Sequence, residues 1–203
     1  NKKIYLIVDK KIVKKIIKEK KIKNNQIIDP KKFRELIEKL NGKKFIIDKL
    51  SCSILNEEII ESSFKITEKE DPCYKLKSIK NSTEIKNTIN AHIEDGLALT
   101  KFIYWIKKIN KKKLTEIEAK NKLQKFRKLN KNYLFPSFDT ISGTGSNGAI
   151  VHYRVSKKSN KIINKKDLFL CDSGGQYKFG TTDVTRTICF SEPKKSIKDV
   201  FTK

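Results

Sequence analysis

A chain of 203 residues is long enough to bury a core and to divide into one or two domains. Its formal net charge is +24, from 47 basic and 23 acidic residues, and its mean hydropathy is −0.57. No apolar run approaches the roughly eighteen residues of a membrane span, and the opening NKKIYLIVDKK lacks the layout of a secretion signal, so the expectation is no membrane partner and no visible address.

Cys52, Cys73, Cys171 and Cys189 have no CxxC spacing and are too scattered for a disulfide scaffold or a zinc module. Reduced thiols and a cytoplasmic protein are expected. The charge invites a nucleic-acid reading, because clustered cations release counterions from phosphates. Arginine, which favours bidentate recognition, occurs only at Arg34, Arg127, Arg154 and Arg186, and the lysines are spread along the chain. Solvated lysine-rich faces explain the charge, and no specific nucleic-acid partner is expected.

In chain order, IYLIVD (4–9) reads as a strand, and Ile12, Val13, Ile16 and Ile17 recur at helical spacing until Asn24-Asn25. Asp29-Pro30 opens a helix whose stripe is Phe33, Leu36, Ile37 and Leu40, stopped by Asn41-Gly42, and the strand KKFIIDK follows. This α/β alternation assigns residues 1–72 to a smaller N-terminal domain, with a boundary in EKEDPC at Pro72. Residues 73–203 form the second domain. The spacing there predicts a long helix over Ser82–Ile109 with Ile85, Ile89, His92, Ile93, Leu97, Thr100 and Tyr104 on its packed face. His92 reads as a packing group within it. Thr115 and Glu118 form a capping box for a second helix carrying Leu123, Phe126 and Leu129.

From Phe138 the texture changes to FDTISGTGSNGAIVHYRVS. GTGSNG lacks the Gly-Lys-Ser/Thr of a phosphate loop, and a strand, not a helix, is expected after it. What remains is a tight turn delivering His152 from a strand, where a functional and a packing role both stand. Next, LFLCDSGGQYKFGTTDVTRTICF (168–190) places Asp172 and Asp183 in two apolar, strand-like runs joined by a glycine-punctuated loop. Desolvating a carboxylate costs several kcal/mol unless something cationic is near, so two such acids suggest a metal. If the runs pair antiparallel, both carboxylates face one side. Hard oxygen ligands suit Mg, Mn, Co or Zn, and two carboxylates leave the shell incomplete. On the pair alone, caps or pairing with Arg186 remain open.

The segments AHIEDGLAL (91–99), FDTISGTGSNGAIVHY (138–153) and LCDSGGQYKFGTTDVTRT (170–187) resemble aminopeptidase P, the Xaa-Pro aminopeptidases of the pita-bread metallopeptidase group, over about Lys77 to Phe201. DSGGQY followed by GTTDVTRT is the most specific part. The resemblance implies a mixed α/β (α+β) fold, with 1–72 as part of a creatinase-like non-catalytic domain and 73–203 as the N-terminal half of a pita-bread catalytic domain. It implies two divalent metal ions, usually manganese with zinc or cobalt as alternatives, and hydroxide attack on peptides with proline second. Asp172 is similar to the ligand of one metal, Asp183 to the bridging ligand, and His152 to the histidine that approaches the scissile peptide. A homodimer is also implied. The family's remaining ligands, a histidine and two glutamates, have no counterpart before Lys203, so the chain reads as a fragment expected to be inactive alone. Pita-bread folds also serve as RNA- or chromatin-protein-binding modules; retention of both aspartates argues for the peptidase.

Overall fold

A computed structural model describes residues 3–19, 22–109 and 113–202, apart from the side chains of Ile16 and Thr202. The chain divides into two compact units, Asn1–Ile79 and Lys80–Lys203.

The first unit is built from β1 (Leu6–Ile7), α1 (Lys14–Lys18), β2 (Ile27–Ile28), α2 (Phe33–Glu38), β3 (Lys44–Ile47), α3 (Ile54–Glu61), β4 (Lys65–Glu68) and α4 (Pro72–Ser78). β1 pairs with β2 and β3 with β4, both in parallel, so each pair needs a crossover; α1 and α3 lie in those connections. Ile37, Ile47, Ile59, Ile60 and Phe64 form the core. The expected first helix shortens to one turn and a half. Val13 is buried and Ile12 exposed, and the Ile16 side chain, with Lys20 and Lys21, lies outside the described residues. Asp29 accepts a bond from the Lys31 N–H and starts a 3-10 turn at Pro30 that runs into α2, where Ile37 is buried but Leu40 lies past the helix end and is exposed. Around Pro72, Asp71 caps α4 by accepting from the Cys73 N–H.

The second unit opens with two helices, α5 (Ser82–Lys108) and α6 (Glu116–Arg127). Each begins in a capping box: Asn81 with Glu84, and Thr115 with Glu118 as the TEIE spacing predicts. Two antiparallel sheets follow. β6 (Ile141–Thr144), β7 (Phe169–Ser173) and β10 (Val184–Ile188) form one, in the order β10-β7-β6; β5 (Tyr133–Pro136), β8 (Gly175–Tyr177) and β9 (Gly180–Thr181) form the other, in the order β5-β8-β9. The chain ends in α7 (Lys195–Thr202). Phe169, Cys171 and Ile188 turn one face of the first sheet onto Leu99, Phe102 and Ile106 of α5 and Ala119 and Leu123 of α6. Each large apolar side chain so buried contributes about 1.5–3 kcal/mol.

The face of α5 that packs is not the expected one. Ala91, Asp95, Ala98, Leu99, Phe102 and Ile106 are buried, whereas Ile85, Ile89, Ile93, Leu97 and Tyr104 are exposed, as is His92. The helix carries two apolar stripes, and the small residues of the inner one let sheet and α6 approach. On α6 the buried positions are Glu116, Ala119, Leu123 and Arg127; Phe126 is half-buried and Leu129 exposed. A charged residue therefore stands at each end of its inner stripe.

Candidate metal centre

β7 and β10 pair as LFLCDS and VTRTICF predict, with Asp172 opposite Thr185 and Ser173 opposite Val184. Because side chains alternate along a strand, Leu170 and Asp172 share one face with Thr185 and Thr187, opposite the face carrying Phe169 and Cys171. Asp183 is the residue before β10, and carrying the register back one step sets it on the Asp172 face, diagonal to Asp172.

Two crossings place the acids at a corner. The chain leaves β7 for the other sheet at Gly174 and returns to β10 at Thr182 and Asp183. Thr182 donates its N–H to the Gly175 carbonyl at 2.9 Å, and its Oγ1 accepts the Gly175 N–H at 2.9 Å. Ser137 Oγ donates to the Thr182 carbonyl at 2.8 Å. A side chain on Gly174 would overlap both the Thr182 carbonyl and Ser137 Oγ, so glycine is required by close approach.

The acids are less buried than their apolar strands suggest: Asp172 is half-buried and Asp183 exposed. Inward positions of the strands fill the core, while the aspartates occupy the alternate positions on the open face. Asp172 Oδ1 accepts a 2.8 Å bond from Thr185 Oγ1. Arg186 takes no part in holding them; it lies on the other side of β10 and donates to the Thr185 carbonyl at 2.8 Å. Asp183 makes no hydrogen bond or ion pair among the described residues. Two oxygen donors on one face, one of them uncommitted, fit a hard divalent cation. Among the described residues no group of three His, Cys, Asp or Glu side chains converges as a metal site.

His152 is not on a strand. GTGSNG forms β6 and then a 3-10 turn over Gly145–Ala149, and His152 follows in an exposed turn with φ +54°, the sole non-glycine residue with positive φ among the described residues. Residues 150–153 close on themselves, the Tyr153 N–H bonding the Ile150 carbonyl at 3.2 Å. The 3-10 turn that precedes His152 lies over the Gly143 and Leu170 end of the aspartate face: Gly143 leaves only 2.8 Å between its Cβ position and the Gly148 nitrogen, and a Cβ on Gly148 would lie 3.4 Å from Leu170 Cβ. His92 stays on its helix, its Nδ1 2.9 Å from the Thr88 carbonyl.

Two buried carboxylates escaped the sequence reading. Asp95 pairs with Arg127 behind Ser173, and Glu116 gathers donors beneath the His152 turn. Only the capping-box context of Glu116 marks either position in the sequence, and a cap predicts exposure.

Residues 86–203 match metallopeptidase family M24. The chain belongs to this family. Over 141 residues the M24 chain is 45% identical to a protein of Paracoccidioides brasiliensis (strain Pb03) named probable Xaa-Pro aminopeptidase P, covering 68% of this chain and 23% of that one. It is 44% identical over 147 residues to the Xaa-Pro aminopeptidase ApepP of Drosophila melanogaster, covering 71% and 24%. The chain thus spans about a quarter of the length of these curated relatives. Among solved structures it is similar to the X-prolyl aminopeptidase of Caenorhabditis elegans, described as a cytosolic enzyme with a di-nuclear active site, at TM-score 0.79 and 26% identity over 96% of this chain and 33% of that one. A Xaa-Pro dipeptidase from Bacillus anthracis shares the fold, with TM-score 0.77 at 23% identity over 99% of this chain and 56% of that one. The mixed α/β, pita-bread reading of the M24 chain holds. No described helix is long and apolar enough to cross a membrane.

Proposed function

We propose that this chain supplies one wall of the active site of a metal-dependent aminopeptidase that releases the N-terminal residue from peptides with proline second. The observation that supports the reading is Asp172 opposite Thr185 on the open face of the β7–β10 pair, with Asp183 exposed one residue before β10 and uncommitted to any protein partner among the described residues. The family match and the names of the relatives support the substrate class.

In this reading Asp172 and Asp183 would both help to hold two divalent cations, manganese being the first choice over zinc or cobalt. When bound, the cations supply Lewis acidity, polarising the scissile carbonyl and making water a better nucleophile at neutral pH. The chain's own contribution is to fix Asp172 within the β7–β10 ladder and Asp183 at its mouth, and to hold His152 beside the substrate, where its imidazole donates a hydrogen bond to the charge that develops on the peptide. The other metal donors come from outside residues 1–203. The di-nuclear site and cytosolic location of the Caenorhabditis elegans enzyme support two metals and a cytoplasmic protein. We assign residues 1–72 to a creatinase-like domain and 73–203 to the first half of the pita-bread domain, and the whole protein to a homodimer without a specific nucleic-acid partner.

The test is hydrolysis of an Xaa-Pro peptide with added manganese by the protein carrying this chain and its remaining donors. Asp172→Ala and Asp183→Ala abolish turnover while circular dichroism shows the fold kept; unchanged turnover in Asp183→Ala refutes the site. Hydrolysis by residues 1–203 alone refutes the need for outside donors.

A further inference from the structure

We infer that Glu116 is the positioning residue for His152, a buried carboxylate that clamps both ends of the turn and thereby fixes where the imidazole is carried. The inference rests on the assignment of His152 to the substrate; Glu116 itself lies under the turn.

Glu116 is 0% exposed at the first position of α6. Burying a carboxylate costs several kcal/mol unless donors surround it, and here they come from four places in the chain. Oε1 accepts the Thr144 N–H at 2.8 Å and Asn147 Nδ2 at 3.0 Å. Oε2 accepts the Tyr153 hydroxyl at 3.0 Å, the Lys161 N–H at 3.0 Å and Asn147 Nδ2 at 3.1 Å. The amide and the hydroxyl also reach each other at 2.8 Å, and both reach the Ser159 carbonyl. Ser142 Oγ donates to the Glu116 carbonyl at 2.8 Å, tying the same residue to β6. The N-terminal end of α6 adds a favourable field for the charge.

These anchors bracket the turn. Asn147 and Tyr153 are buried, while Ile150, Val151 and His152 between them are exposed, so packing does not hold the arch. The chain must descend from exposed Val151 to Tyr153, whose ring is buried and whose hydroxyl sits on Glu116. It does so through the left-handed backbone of His152, a conformation that is unfavourable in a non-glycine residue and persists only where the surroundings impose it. The imidazole makes no hydrogen bond of its own among the described residues, so the backbone sets the direction in which its Cβ leaves the turn. The Tyr153 N–H closes the turn on the Ile150 carbonyl at 3.2 Å, and Glu116 anchors both ends of that turn through Asn147 and Tyr153.

The chain has two histidines, which makes the test direct. In the isotopically labelled 203-residue chain, imidazole resonances of His152 are followed by NMR with His92, on α5, as internal reference. Glu116→Gln turns one acceptor oxygen into a donor facing Lys161 N–H and Asn147; Tyr153→Phe removes a single hydroxyl. Both are expected to shift and broaden the His152 signals and leave His92 unchanged. His152 signals unmoved in folded Glu116→Gln overturn the inference. If Glu116→Gln does not fold, Tyr153→Phe decides in the same way. In the complete enzyme, Glu116→Gln is expected to lower kcat about 10- to 100-fold with KM little changed, as misplacement of a catalytic group does, and to add nothing once His152 is alanine; additive losses overturn the inference. Full turnover in His152→Ala overturns instead the assignment of His152 to the substrate, while the NMR result still decides the role of Glu116.

Discussion

Arg127 and Asp95 form an ion pair closed to solvent, with Nε 2.6 Å from Oδ1 and Nη2 2.9 Å from Oδ2. The pair joins α6 to α5 and does not stop there. Arg127 Nη2 also donates to Ser173 Oγ at 3.1 Å, and the Tyr177 hydroxyl donates to Asp95 Oδ1 at 2.8 Å. Ser173 follows Asp172 in β7, and Tyr177 ends β8, so the two helices grip both strands that leave the Gly174 corner.

Removing one partner strands the other charge. Arg127→Ala should destabilise the second unit by about 3–5 kcal/mol, and Tyr177→Phe by about 1–3 kcal/mol. Arg127→Met combined with Asp95→Leu should recover much of the loss, since well-packed apolar pairs replace buried ion pairs at little cost. Urea denaturation of the single and double variants measures the coupling.

Alkaline pH should weaken the fold. Burial pushes the Cys171 thiol from 9.0 up to about 12, and it raises Tyr177 as well, first by desolvation and then through the bond its hydroxyl donates to Asp95. Tyr153 is raised too, chiefly by burial. Each of these groups is held neutral in the folded state, so the unfolded chain ionises first. For Cys171 the contribution is full below pH 9.0 and is lost as pH climbs toward about 12. Urea midpoints should hold between pH 7 and 8.5 and fall above that. Iodoacetamide at pH 8 should alkylate exposed Cys73 and leave Cys171 intact until unfolding, read by mass spectrometry.

Glycines in this chain do opposite jobs. Gly174→Ala should destabilise by at least about 1–3 kcal/mol through overpacking against the Thr182 carbonyl and Ser137, and should weaken manganese binding in the complete site by spreading the aspartates. Gly96, midway along α5, has nothing within 4 Å of its Cβ position. Gly96→Ala should therefore stabilise by about 0.5–1 kcal/mol. Thermal melts and metal titration separate the two.

The two stripes of α5 should differ sharply. Phe102→Ala, at 0% exposure, should cost about 3–5 kcal/mol, whereas Ile89→Gln or Ile93→Gln, at 55% and 66%, should each change stability by no more than about 0.5 kcal/mol. Chemical denaturation of the three variants in the 203-residue chain checks which face is core.

Those stripes also mark where the sequence was legible and where it was not. The β7–β10 pairing, the α5 length and the Thr115–Glu118 cap rest on local pattern, and local pattern survives folding. Helical period finds that α5 is amphipathic but cannot choose between two apolar faces; the choice fell to Ala91 and Ala98, whose small size allows close packing. His152 was expected on a strand because AIVHYRV has strand composition, yet the segment turns back on itself, the Tyr153 N–H bonding the Ile150 carbonyl, and Tyr153 is drawn to buried Glu116. α3 was missed because ILNEEIIE is short and carries no capping box, although Ser53 caps it by accepting the Asn56 N–H. Asp95, Arg127 and Glu116 were illegible for a physical reason: a charged residue reads as solvated until its partners, 28 to 82 residues away in sequence, are brought to it.

The neck formed by Gly174, Gly175 and Thr182 separates two mechanical regimes along one hairpin. On the β7–β10 side, every residue is in register with a neighbour, and inserting or deleting one would turn a carboxylate to the opposite face. Beyond the neck, the turn at Lys178 and Phe179 joins β8 to β9 without touching that register. A change in the length of this tip would meet α5, against which Gly180 packs at Ala91 and Asn87, before it reached the pairing that holds Asp172.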